Sequence, residues 1–101
     1  MYKHVVFWKI KEEANGIGKA SLVQSVIARL NALPLAIPEI KAYEVAENIG
    51  DYDASFYDVC LISVFDDRAS FWKYTQYPKH DEVLAYIQAV QLDEQIVDFE
   101  E

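Results

Sequence analysis

The chain holds one cysteine, three prolines, three glycines and only nine basic side chains against seventeen acidic ones in its 101 residues. A lone cysteine, Cys60, excludes a disulfide within the chain, and its place in an apolar run makes it a packing residue suited to a reducing compartment. No apolar stretch approaches the roughly 18 residues that a membrane-spanning helix requires, so no membrane partner is expected. The segment Met1-Tyr2-Lys3-His4-Val5-Val6-Phe7-Trp8 returns to charge at Lys9 without the long apolar region or small-residue cleavage site of a secretory leader, and a cytoplasmic location is expected. The formal net charge of -8 repels a phosphate backbone, and no lysine or arginine stripe offsets it, which excludes nucleic acid as a partner. No Pro/Gly/Ser-rich linker interrupts the chain, so residues 1–101 read as a single domain. A chain of this length buries roughly 65% of its unfolded surface, a thin core for which a partner subunit is natural support.

What the sequence does have is apolar and aromatic: 52% of the residues are hydrophobic and 14% aromatic, seven of them tyrosine, a composition suited to a lined pocket or an interface. From His4 to Lys11 the alternation sets Val6, Trp8 and Ile10 on one face and Val5 and Phe7 on the other, a strand apolar on both sides. Turn residues fill 12–18. Leu22, Val26, Leu30 and Leu33, flanked by Val23 and Ile27, then trace an amphipathic helix of about four turns. Pro34 and Pro38 punctuate the chain, and Ile40 to Glu47 alternates as a more exposed strand. Asn48 to Asp53 reads as a turn, and Tyr57 to Phe65 is a nearly continuous, β-branched run expected as a central strand covered on both sides. Asp67 is the expected N-cap of a helix through Phe71, Trp72 and Tyr74, ended or kinked by Pro78. A further helix is expected from about Asp81 to Val90, and a last strand from Gln95 to Glu100.

This order of elements is the split βαβ, ferredoxin-like arrangement of the α+β class: a four-stranded antiparallel sheet with helices on one face. Its other face is left bare, yet the strands beginning at His4 and Tyr57 are apolar on both sides. A second copy of the sheet supplies the missing cover, which predicts a homodimer closing into an α+β barrel, with Phe7, Val5 and Val97 as interface candidates.

The blocks His4-Val5-Val6-Phe7-Trp8-Lys9-Ile10-Lys11, Tyr57-Asp58, Val64-Phe65-Asp66-Asp67, Tyr74, Tyr77-Pro78-Lys79-His80 and Val97-Asp98-Phe99-Glu100 together resemble the stress-responsive dimeric α/β-barrel (Dabb) family. The resemblance implies a small homodimer. Many such proteins have no assigned activity, and a few plant ones cyclise linear polyketides. In those, the histidine matching His80 and the tyrosine matching Tyr74 form the acid-base pair, and the histidine matching His4 lines the same cavity. The family's His-Pro-x-His segment is Tyr77-Pro78-Lys79-His80 here, keeping only its second histidine.

An imidazole and a phenol suit the removal of a proton beside a carbonyl and the holding of the resulting enolate. Their ordinary uses are a helix-start histidine that meets backbone or solvent, a semi-buried helix aromatic and, for His4, strand-edge packing. Strand alternation and the resemblance together place Val6, Trp8, Val59 and Leu61 with His4 around a space between sheet and helices. That space is an apolar pocket, unless the Trp8 indole simply fills it. Two histidines make no metal site without carboxylates, and the acidic residues Asp51, Asp53, Asp58, Asp66 and Asp67 lack a calcium-loop spacing, so neither metal nor cofactor is expected. The leading expectation is a homodimer binding a small apolar ligand. The alternatives are a cofactor-free cyclase-like enzyme using His80 and Tyr74, and a monooxygenase-like relative for which no diagnostic residue is present.

Overall fold

Apolar residues recurring every second position build the sheet, and those recurring every third and fourth build the helices that cover it. The computed structural model describes residues 1–50 and 56–101. The expected turn residues Asp51, Tyr52 and Asp53 lie outside them. Strand β1 (Tyr2–Ile10) leads to a small hairpin, β2 (Glu13–Ala14) and β3 (Ile17–Gly18), then to helix α1 (Lys19–Asn31) and the single turn α2 (Leu33–Ala36). Strands β4 (Ala42–Glu47) and β5 (Val59–Phe65), helices α3 (Arg68–Gln76) and α4 (Pro78–Val90) and strand β6 (Gln91–Glu100) complete the chain. The main sheet runs β4-β5-β1-β6, every neighbouring pair antiparallel. This is the expected α+β, ferredoxin-like order.

Four local features differ from the sequence reading, each for an identifiable reason. Residues 12–18 are not merely turn: Asn15 (φ 54°) and Gly16 (φ 80°) both take left-handed backbone, which is what a two-residue hairpin between β2 and β3 requires. The long first helix stops at Asn31, and Leu33 belongs to α2, with Pro34 in its first turn. Helix α4 begins at Pro78 rather than near Asp81, because proline at the first helical position loses no hydrogen bond, so His80 sits inside the first turn. Strand β6 begins at Gln91, four residues earlier than the apolar alternation shows. Its pairing with β1 shifts where Lys9 meets Asp93 and Ile10 meets Gln91, leaving Leu92 as an extra residue. The expected cap of α3 is present, with the Ser70 N–H donating to Asp67 Oδ1 at 2.8 Å.

The core lies between the sheet and α1, α3 and α4. Val6, Trp8 and Ile10 from β1 and Val59, Leu61 and Phe65 from β5 meet Leu22, Val26 and Leu30 of α1, Phe71 and Tyr74 of α3, and Val83 and Ile87 of α4, all buried. The opposite face of β5, expected to be covered, is not covered within the subunit: Phe7 (41% exposed), Ile62, Val97 (58%) and Phe99 stand out from the bare side of the sheet. No helix among the described residues is long and apolar enough to cross a membrane.

Candidate functional site

The register of β1 decides which side chains reach the space under the helices. His4, Val6 and Trp8 share the helix-facing side and pair with Asp98, Ile96 and Glu94 of β6, so these six form one continuous strip. Above it runs α4, with His80 in its first turn and Ile87 toward its end. The Tyr77-Pro78 break sets α3 against the start of α4 and brings Tyr74 to His80: the two rings lie edge to face with centroids 4.6 Å apart.

Between strip and helices is a cavity of about 220 Å³. Val6, Trp8, Leu61 and Ile96 form its floor, Leu30, Leu33, Val83, Leu84 and Ile87 its apolar wall, and His4, Phe71, Tyr74, Thr75 and His80 the more polar end. Gln88 and Glu94 complete the lining. Six of the seven residues expected here, His4, Val6, Trp8, Leu61, Tyr74 and His80, therefore meet at one cavity. Val59 does not: it faces the same side of the sheet but is consumed in the packed core, 1% exposed. Trp8 does not fill the space, because its indole N–H donates to Glu94 Oε2 at 3.2 Å and the ring lies as part of the floor.

Three polar residues behind or beside the cavity, Asp98, Tyr43 and Glu94, have no site role in the sequence reading. Asp98 holds His4 and Tyr2 at once, accepting from His4 Nδ1 at 2.5 Å and from the Tyr2 hydroxyl at 2.7 Å. A carboxylate only accepts, so the proton of this bond is carried on His4 Nδ1. Burial, then the Asp98 bond, push the Tyr2 phenol up to about 12. The Tyr43 hydroxyl lies 3.5 Å from that of Tyr74. Glu94 precedes the apolar alternation of β6, so its only signal was its shared parity with Ile96 and Asp98.

The electrostatics suit proton transfer at low charge. Burial lowers the His80 pKa, His4 lowers it further, and Asp81 opposes both, which favours a neutral imidazole. Its Nδ1 is buried with no hydrogen-bond partner, since the nearest Asp81 oxygen is 3.7 Å away, too far for a bond. Burial raises the Tyr74 pKa, partly opposed by Tyr43, so Tyr74 stays a phenol that donates rather than a phenolate. No group of three or more His, Cys, Asp or Glu side chains that could hold a metal ion is found among the described residues.

No curated protein matches the chain. Among solved structures, a dimeric ferredoxin-like protein of unknown function from Thermobifida fusca YX is 27% identical with a TM-score of 0.84, over 99% of this chain and 90% of that one. A hydroxynitrile lyase from Passiflora edulis is 18% identical at a TM-score of 0.80, over 97% and 90%. An antibiotic biosynthesis monooxygenase is 18% identical at 0.74, over 100% and 98%. The last two likenesses are of fold. The family model for the stress-responsive A/B barrel domain, Dabb, matches residues 2–101. A four-stranded sheet with helices on one face and a match over almost every residue lead to one assignment: the chain belongs to the stress-responsive A/B barrel (Dabb) family.

Proposed function

We propose that the protein works as a homodimer in which each subunit binds one small, largely apolar carbonyl compound between its sheet and helices. The observation that carries this reading is the cavity itself, apolar along its floor and wall and polar at the end where Tyr74 meets His80. Sites of this kind orient a ligand by a few polar groups and hold it by apolar area. At about 220 Å³ this one lies below the roughly 300–1,000 Å³ of drug-sized sites, so its ligand is small. The dimer is supported by the apolar residues on the bare sheet face and by the dimeric T. fusca neighbour.

The unpartnered His80 Nδ1 favours a second reading of the same cavity, acid-base chemistry without a cofactor. Neutral His80 takes a proton from the carbon beside the carbonyl, Tyr74 donates a hydrogen bond to the enolate oxygen, and the proton then returns to carbon.

One experiment addresses both readings. Benzylacetone titrated into the protein in D2O is expected to give saturable binding by calorimetry, lost in Leu84→Trp, which fills the apolar wall. Absence of saturation in the wild type would overturn the binding reading. Deuterium entering the positions beside the carbonyl faster than in buffer, and no faster than buffer with His80→Gln, supports the acid-base reading. Equal exchange with both proteins removes it.

A further inference from the structure

The cavity's polarity is distributed unequally along its length. His4 and Trp8 are four residues apart on β1, about 13 Å at strand rise. His80 and Ile87 are seven apart on α4, about 10 Å at helix rise. Because α4 runs parallel to β1, His80 and Tyr74 stand over the His4 end, while Ile87 and Gln88 stand over Trp8 and Glu94. Glu94 is the one carboxylate in the lining, and neither lysine nor arginine lines the cavity among the described residues. The Trp8 indole N–H occupies a single lone pair of Glu94 Oε2, leaving the carboxylate free to accept again.

We infer that Glu94 is a specificity-determining residue that selects neutral carbonyl compounds carrying a hydroxyl at the end remote from the carbonyl, and rejects those carrying a carboxylate there. The inference rests on the ligand-binding reading of this cavity. A distal hydroxyl donates to the half-buried Glu94 carboxylate, a charge-assisted bond stronger than one between neutral groups. A distal carboxylate meets like charge with no cation in the lining to offset it, and loses hydration as well.

Three matched probes test this: benzylacetone, its para-hydroxy derivative and its para-carboxy derivative, each titrated into the wild-type protein by calorimetry. The hydroxy compound is expected to bind at least about tenfold tighter than the carboxy compound, and tighter than the parent ketone. In Glu94→Gln, checked for fold by circular dichroism, the ratio between hydroxy and carboxy compounds is expected to shrink to within about threefold. If benzylacetone saturates but the wild type binds the hydroxy and carboxy compounds equally, the selectivity of Glu94 is overturned while the binding reading stands. If the ratio is large and Glu94→Gln leaves it unchanged, the selectivity lies elsewhere and the assignment of Glu94 falls. If no probe saturates, the binding reading fails and takes this inference with it. The wild-type series alone can overturn the proposal, so it does not depend on the variant folding.

Discussion

His80 couples the candidate site to stability. Burial holds its imidazole below the ordinary value, whereas the unfolded chain takes up a proton near pH 6.5. The unfolded state therefore binds more protons across that interval. The stability this ring contributes is present above about pH 6.5 and is lost as pH falls toward the folded value. Wild-type protein is expected to lose more melting temperature between about pH 7.5 and about pH 5.5 than His80→Gln, and identical slopes would show that the ring is not held neutral. At this scale the sequence displays residue types but not their meeting. His80 and Tyr74 are six positions apart, and only the backbone direction at Tyr77-Pro78 turns their rings toward each other. Asp98 was legible as part of a family block, but its grip on His4 and Tyr2 depends on the pairing of the first strand with the last, a contact between residues more than ninety positions apart.

Among the elements, the β2–β3 hairpin isolates a purely conformational effect. Gly16 has φ +80° and nothing within 4 Å of where a Cβ would sit, so Gly16→Ala is strained by its backbone alone and is expected to cost about 1 kcal/mol in urea unfolding. Gly18 also has open space but φ -77°, and Gly18→Ala is expected to cost no more than about 0.5 kcal/mol. Equal losses at the two positions would remove the left-handed turn from the explanation. The long elements were readable from their apolar pattern: an alternation in β1, a nearly continuous β-branched run in β5, and a period of about 3.6 in α1. What periodicity could not give was the ends. Helix α4 starts at a proline that reads equally well as a helix stop, and the first four residues of β6, including Glu94, carry little apolar signal because they lie at an edge of the sheet.

For the molecule as a whole, the open question of the bare sheet face has a direct measurement. Val5, Phe7, Ile62, Val97 and Phe99 come from three adjacent strands and share that side, more apolar surface than one layer of helices on the opposite face can hide. Sedimentation at low micromolar concentration is expected to give twice the mass of one chain, with a melting temperature that rises with protein concentration, and Phe7→Asp is expected to give the single-chain mass. A wild-type monomer under those conditions would refute the dimer. The α+β architecture is legible in the order of elements along the sequence, and the need for a cover on the sheet in β1 and β5. The cavity is not, because whether Trp8 plugs the interior or paves it depends on its bond to Glu94.

Leu92, the surplus residue opposite the junction of Lys9 and Ile10, has an importance out of proportion to its own contacts. Strand side chains alternate, so sliding β6 by one position would present Gln95, Val97 and Phe99 to the helices and send Glu94, Ile96 and Asp98 outward. The bulge acts as a pawl against that slip. It keeps acid inside and grease outside on the same ribbon; were Leu92 instead paired with Lys9, every later residue would change face and the chamber's lining would trade places with the surface a second subunit is to meet.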